Sequence, residues 1–417
     1  MKLSLRSAIM WHVRPARHAG PGSVQDRGGA MRLIHTSDWH LGRTLHGESL
    51  LEHQEVFLDW LLAQAVDRRA GAVVVAGDIY DRAVPPTDAV RLLDKTLVAF
   101  ARARIPVVLT SGNHDSAVRL GFASGLSEAA GIHLRTRVED IARPVVVRDS
   151  HGEVGIYGIP YLLPDAVMAD LGAERSHASV LAAAHERIRA DAAARGLSRT
   201  VVIAHALVTG GQASGSERDI RVGGIGDAPA SSLAGCSYLA LGHLHGQQRV
   251  DTGGTTSAGY SGSPLAFSFS ERHHHKSVTL AEIGGDGTVT TELLPTPVPR
   301  PLREVRGRLD DLLARADTDL AGLEGAWVKA VLTDQARPMA PMERLREKWP
   351  HTIALDFQPE GGLTGPDADL ARLAEAVDPV EICGLFVDFV AGAPPDEAQL
   401  AVLRRAVEAA QHGEAAA

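Results

Sequence analysis

The stretch Val73–Arg82, VVVAGDIYDR, constrains the fold more than any other part of the chain. Val73–Ala76 is short, apolar and rich in β-branched side chains, which marks a strand buried on both faces rather than an amphipathic helix. Gly77 permits a tight turn directly after it, so Asp78 sits at the carboxyl end of a strand, where open α/β sheets keep their ligands. One Asp in that position is ordinarily a turn or a helix cap. Four more apolar runs, however, end the same way. Leu33–His35 leads into Ser37-Asp38-Trp39-His40, and Pro106–Thr110 into Ser111-Gly112-Asn113-His114-Asp115. Val201–Ala204 leads into His205, and Tyr238–Leu241 into Gly242-His243-Leu244-His245. Between them lie helical patterns such as Leu50–Asp67 and Asp88–Arg102, with apolar residues three and four apart. This alternation predicts a layered α/β domain, and a sandwich of two sheets would also return the chain repeatedly to one site.

Taken singly, each cluster has a structural explanation. Asp38 and His40 suit a turn, Asn113 suits a helix N-cap, and His243 and His245 suit an exposed strand end. Together, five runs that present only Asp, Asn and His describe a metal centre. Imidazole, carboxylate and amide oxygen suit manganese, iron or zinc, and the lack of thiolates points away from a structural zinc site. Cys236 and Cys383 are the only cysteines in 417 residues, which excludes a disulfide framework and fits a reducing cytoplasm. Two ions roughly 3.5–4 Å apart can clamp a phosphodiester and activate a water. Such a pair needs a shared ligand, and Asp78 on its central strand is the expected bridge. No run of 18 or more apolar residues is present, so no membrane span is expected. The net charge of −9 argues against nucleic-acid binding by bulk electrostatics, although a nuclease site brings its own cations.

The remaining sequence organises itself around this core. Residues 1–30 are basic and Gly-containing without a signal-peptide core, so they are expected to be a disordered extension or a misassigned start, with Met31 as the working start. Ile132–Asp165 reads as strands and turns, Ala178–Ala194 as a helix, and Gly210–Gly226 as a mobile loop rather than a phosphate cradle. There is neither a G-x-x-x-x-G-K-[ST] loop nor a G-x-S-x-G elbow. His273-His274-His275 reads as a solvated hairpin loop. Pro295–Pro301 marks a boundary, beyond which 13 Lys/Arg face 21 Asp/Glu, so most of the negative charge lies outside the catalytic region. Strands at Leu302–Gly307, Trp327–Leu332 and Thr352–Phe357, with helices at Leu309–Ala316 and Met342–Lys348, predict a small α+β unit. A Gly/Pro linker at Pro359–Pro366 precedes Phe386, Phe389 and a helix, Asp396–Ala410, on which Leu400, Leu403 and Val407 share one face. By pattern alone that helix could equally pack on its own domain or dock on a partner.

The series D-x-H, G-D-x-x-[DH], G-N-H-[DE], a lone His after a strand, and G-H-x-H resembles the calcineurin-like metallophosphoesterases. The wording HTSDWHLGRTLHG, VAGDIYDRAVPP, LTSGNHDS, LALGHLH and YSGSPLAFSFSE is similar to the SbcD family within them, strongly from Met31 to Glu271 and more loosely beyond. That resemblance implies an α/β fold of four layers, two sheets flanked by helices, at residues 31–298. It further implies a smaller capping domain at 299–360 and, at 361–417, a linker and tail that docks on an SbcC-type ATPase. It implies two divalent ions, manganese being expected. Asp38, His40, Asp78 and His245 would hold the first, and Asp78, Asn113, His205 and His243 the second. His114 would contact the scissile phosphate or protonate the leaving oxygen. Asp81 would accept a hydrogen bond from His114 and favour its imidazolium form. The implied activity is that of a DNA nuclease, 3′→5′ on duplex ends and endonucleolytic on single strands and hairpins, in repair, recombination and replication. The implied assembly has two copies each of nuclease and ATPase, with a homodimer of this chain as a further expectation. A non-cutting scaffold and a small-molecule phosphodiesterase are the competing readings. The full ligand set disfavours the first, and the capping region and Phe-containing tail disfavour the second.

Overall fold

The structure is a computed structural model that describes residues 29–217, 227–359, 378–391 and 394–414. The expectation for residues 1–30 therefore lies almost wholly outside the described residues. Two six-stranded sheets form the core. In the first, β1 (Met31–Thr36) is followed by a short hairpin, β2 (Thr44–Leu45) and β3 (Glu48–Ser49), that stands apart from the sheet. β1 pairs in parallel with β4 (Ala72–Ala76), which is followed in parallel by β5 (Val107–Thr110) and β6 (Ile132–Arg135). The second sheet contains β7 (Val145–Asp149), β8 (Gly152–Ile159), β9 (Thr200–His205), β10 (Tyr238–Gly242), β11 (Gln248–Val250) and β12 (Ser257–Tyr260). Its order is β11-β12-β10-β9-β8-β7, with β8, β9, β10 and β12 parallel and the two edges antiparallel. β13 (Ser277–Ile283) and β14 (Val289–Pro295) return to the first sheet as its antiparallel edge beside β1.

Strand alternation creates the layers. On β4, Val73 and Val75 pack outward against helices α1 (Leu51–Asp67) and α2 (Thr87–Ala103), through Phe57, Leu58, Leu61 and Phe100. Ala72, Val74 and Ala76 point the other way and meet Val201, Ile203 and Ala240 of the second sheet. Val202, Ala204, Leu239 and Leu241 face outward onto a helix, His177–Arg195, through Val180, Leu181, Ala184 and Ile188. Every strand of the centre is thus buried on both faces, which is why the sequence shows continuous apolar runs instead of an alternating pattern. Each such Val, Ile or Leu contributes about 1.5–3 kcal/mol. A buried polar pin also crosses between the sheets: His35 Nδ1 lies 2.9 Å from the Tyr238 hydroxyl, and Nε2 lies 3.1 Å from the Leu241 carbonyl. Burial holds this imidazole down to about 3, so it is neutral.

Beyond β14, three strands, β15 (Leu302–Gly307), β16 (Trp327–Leu332) and β17 (Thr352–Phe357), form a separate parallel sheet. Helices Leu309–Arg315 and Pro341–Lys348 occupy its crossovers. The expected α+β unit is refined accordingly: strands and helices alternate, because parallel neighbours require a crossover. This sheet leans on the core through Leu302, Trp327 and Ile353, which cluster with Leu45, Leu50, Leu265, Phe267 and Phe269. Two further helices, Pro379–Ala391 and Glu397–Glu414, follow. Most of the Pro359–Pro366 linker lies outside the described residues.

Candidate metal centre

The carboxyl ends of β1, β4, β5, β9 and β10 converge, and each carries one of the five clusters. Four of these side chains leave the backbone at positive φ, a region non-glycine residues rarely adopt: Asp38 at 53°, His40 at 44°, Asp78 at 49° and His243 at 111°. Strain of this kind costs about 1–3 kcal/mol per residue and persists where the surroundings fix it, most often at functional sites. The fixing groups are visible. Gln54 of α1 donates from Nε2 to the carbonyls of Trp39 (3.0 Å) and His40 (2.7 Å), while its Oε1 accepts from Gly42 N–H. Asp115 accepts from the N–H groups of Ile79 (3.0 Å), Tyr80 (2.9 Å) and Gly112 (2.9 Å), and so staples the Asp78 loop to the Asn113 loop. Burial and the charge of Asp78 push the Asp115 carboxyl up to about 7. At Gly112 there is no room for a side chain, since a Cβ there would fall 2.1 Å from Asp78 Oδ1.

Asp78 occupies the middle. Its Oδ2 lies 3.6 Å from His40 Nε2 and 3.5 Å from His205 Nε2, while Oδ1 accepts from His114 N–H at 2.9 Å. On one side, Asp38, His40 and His245 bring ligand atoms within 4.8 Å of one another, and the two Nε2 atoms of His40 and His245 are 3.2 Å apart. On the other, His205 Nε2 lies 2.9 Å from Asn113 Oδ1, and its Nδ1 donates to the Ala76 carbonyl at 2.9 Å. That second bond fixes the tautomer and leaves Nε2 with its lone pair toward the site. Asp38, Asp78 and His205 form a further close triad, as do His40, Asp78 and His114. His243 stands at the margin of these groups. Its ring meets that of His205 edge-on at 5.4 Å, and its N–H donates to both oxygens of Asp38 at 3.1 Å.

These residues fit a pair of cations. Burial holds His205 and His243 down to about 3 and His40 well below the usual imidazole range, so all three present neutral nitrogen donors. Burial raises both Asp38 and Asp78, and the charge of Asp78 adds to the rise at Asp38. Two desolvated carboxylates this close are unfavourable unless positive charge lies between them. His40 Nδ1 and Asn113 Nδ2 are buried without a hydrogen-bond partner, as expected of side chains whose orientation is dictated by their opposite end.

One expectation is corrected. The carboxylate of Asp81 does not receive His114; the Asp81 backbone carbonyl accepts from His114 Nδ1 at 2.7 Å. The carboxylate instead accepts from Arg43 at 3.2 Å and lies 3.6 Å from His40 Nδ1. The guanidinium competes for the charged oxygens and leaves the carbonyl to the imidazole. The Gly210–Gly226 reading is corrected in its first half: Ser216 and Glu217 contact His245, forming part of the site wall, and 218–226 lie outside the described residues. His273 and His275 are exposed and, among the described residues, belong to no metal-compatible group. Gln54, Arg43, Ser216, Glu271 and Phe267 were not foreseen. Phe267 packs edge-on against the rings of His40 (5.2 Å) and His245 (5.4 Å) with the Arg43 guanidinium over its face. Only the YSGSPLAFSFSE wording hinted at its segment.

Two sheets flanked by helices, with Asp, Asn and His gathered at their strand ends, define a metal-dependent phosphoesterase, and the calcineurin-like phosphoesterase family matches residues 31–188. A domain described as the type 5 capsule protein repressor C-terminal domain matches residues 298–388. Three curated relatives are SbcD subunits of the nuclease SbcCD. That of Staphylococcus saprophyticus is 30% identical over 335 residues, 79% of this chain and 85% of the relative. That of Bacillus subtilis is 36% identical over 342 residues, 78% and 84% respectively. That of Rhodobacter capsulatus is 34% identical over 314 residues, 68% and 76%. The chain belongs to the SbcD family of calcineurin-like phosphoesterases and is a metal-dependent phosphodiesterase. Among the described residues no helix is long and apolar enough to cross a membrane.

Proposed function

We propose that this chain is a two-metal DNA nuclease subunit that works with an SbcC-type ATPase. The observation that carries the reading is the placement of Asp78 Oδ2, 3.6 Å from His40 Nε2 and 3.5 Å from His205 Nε2, between two separate donor sets. Asp38, His40 and His245 hold the first ion with Asp78, and Asn113, His205 and His243 hold the second with it. Oxygen and imidazole donors without thiolate suit manganese. When bound, the ions supply Lewis-acid stabilisation of the phosphodiester and its attacking water. His114 is anchored through Nδ1 on the Asp81 carbonyl, which leaves Nε2 free to contact the scissile phosphate and protonate the departing 3′ oxygen. Asp81 acts as a positioning group, with its carbonyl on His114 and its carboxylate beside His40.

The substrate reading is cleavage of DNA, 3′→5′ from duplex ends and internally in single strands and hairpins, in repair, recombination and replication. The names of the relatives support it. Residues 31–298 form the nuclease unit and 299–360 the capping unit, which directs DNA to the ions. Residues 361–417 form the linker and docking tail, in complexes with two copies of each subunit. A homodimer is supported by Val118, Phe122 and Leu126, spaced four apart and 84%, 82% and 80% exposed beside the His114 loop. Free Cys236 and Cys383 fit a reducing cytoplasm. The test is manganese-dependent cleavage of duplex DNA and of bis-p-nitrophenyl phosphate, with and without the ATPase. Cleavage of DNA stimulated by the ATPase is expected. Activity on the small ester alone would favour a small-molecule phosphodiesterase, and activity on neither would favour a scaffold.

A further inference from the structure

We propose that Glu271 and Ser216 are positioning residues that together select the metal-facing nitrogen of His245, with Lys276 as the counter-charge that holds Glu271 in place. Ser216 Oγ lies 2.7 Å from His245 Nδ1 and 2.5 Å from Glu271 Oε1. A carboxylate only accepts and a serine has one proton. That proton therefore goes to Glu271, and the serine oxygen accepts from His245 Nδ1–H. Ser214, 3.0 Å away, directs its own proton to Glu217 Oε2 at 2.7 Å and so does not alter this order. His245 Nε2 keeps its lone pair and faces His40 Nε2 and Asp38.

The chain of bonds is buried and charge-balanced. Glu271 is 1% exposed, and its other oxygen takes the Lys276 ammonium. Lys276 also donates to the His245 carbonyl (2.9 Å) and Ser263 Oγ (2.8 Å), while His245 N–H is held by Glu217 Oε1 at 2.9 Å. Imidazole, backbone N–H and backbone carbonyl of this one residue are thus all fixed by neighbouring side chains. On the opposite side of the site His205 depends on a main-chain carbonyl, that of Ala76, which no side-chain substitution removes. The two ion positions are therefore supported differently, and disturbing Ser216 or Glu271 should weaken one and spare the other.

This inference rests on the two-metal reading, and the experiment separates the two. Metal-free full-length protein is titrated with Mn²⁺ by calorimetry as wild type, Ser216→Ala, Ser216→Thr and Glu271→Gln, with the metal-free melting temperature recorded for each. Wild type should bind two ions. Ser216→Ala should lose about 10–100-fold in affinity for one ion, the usual worth of an outer partner, with the other unchanged. Ser216→Thr, which keeps the hydroxyl, should restore it. Glu271→Gln should reproduce the alanine result. Should it unfold because Lys276 is left unpaired, Ser216→Ala still decides, since it leaves the ion pair intact. Equal loss at both ions, no loss at either, or failure of threonine to rescue would overturn the relay. A wild-type protein that binds one ion overturns the two-metal reading and this assignment with it.

Discussion

Gly242→Ala tests how the two sheets make the site. A Cβ at Gly242 would fall 1.8 Å from the Ala76 carbonyl oxygen and 2.9 Å from Ser37 Cβ, a clash with backbone that no rotamer relieves. Ordinary contact requires β4 and β10 to part by about 1.5 Å, in a core packed as densely as a crystal. Overpacking of this kind costs about 1–3 kcal/mol. The Ala76 carbonyl that must move also accepts from His205 Nδ1 at 2.9 Å, and loss of that buried bond adds about 1–3 kcal/mol. A total near 3–5 kcal/mol corresponds to a fall of about 6–15 °C in melting temperature for a domain of this size. Scanning calorimetry of the metal-free protein measures the first effect. Metal analysis after dialysis measures the second, a lowered ion content from displacement of His205 and His243. Gly246→Ala, whose Cβ would meet nothing nearer than 3.4 Å, is the matched control and should melt like wild type. If Gly242→Ala also melts like wild type and retains its ions, the sheets do not approach as described.

Three further outcomes follow from the same structure. His114→Gln should leave metal content nearly unchanged while turnover falls roughly 10²–10⁴-fold, as for loss of a positioned acid; ion loss in step with activity would make His114 a ligand. Arg199 donates two hydrogen bonds to Asp149 (2.7 and 2.8 Å) and holds its carboxyl below the usual range, so the pair stabilises the fold above roughly pH 4 and ceases to do so as pH falls through the lowered value. Arg199→Met should cost about 3 kcal/mol in neutral urea melts and flatten this acid limb, whereas an unchanged acid limb would place the pH dependence elsewhere. Deleting residues 367–417 should abolish co-purification with an SbcC-type ATPase and ATP-dependent degradation of duplex ends, yet preserve single-strand cutting. A truncated protein that keeps the complex would locate docking elsewhere, and one that melts early would make the tail part of the fold.

The sequence disclosed those parts of the molecule whose physics is local. Val73–Ala76, Val201–Ala204 and Tyr238–Leu241 were legible as strands because burial on both faces leaves an uninterrupted apolar run. Their following Asp, Asn and His residues were legible because all end at the same edge. The outer supports were not, since they are set by distance in space rather than spacing in sequence. Gln54 sits inside an ordinary amphipathic helix, and only the fold turns its amide onto the Trp39 and His40 carbonyls. Ser216 looked like loop composition until Glu271, 55 residues later, closed on it. At Asp81 the residue was recognised but the atom was not, because a side chain and its own carbonyl are indistinguishable in a sequence. The alternation in 302–357 was visible, whereas parallel pairing depends on crossover direction, which composition does not encode.

The central claim is that one carboxylate, Asp78, joins two ion positions. Counting bound manganese in wild type and Asp78→Asn, with electron paramagnetic resonance on the same samples, tests it most directly. Wild type should hold two ions with the spectrum of an exchange-coupled pair. Asp78→Asn should weaken both ions together, lose the coupled signal and cut no DNA substrate. Two tightly bound, still-coupled ions and normal cleavage in Asp78→Asn would place the bridge on another residue.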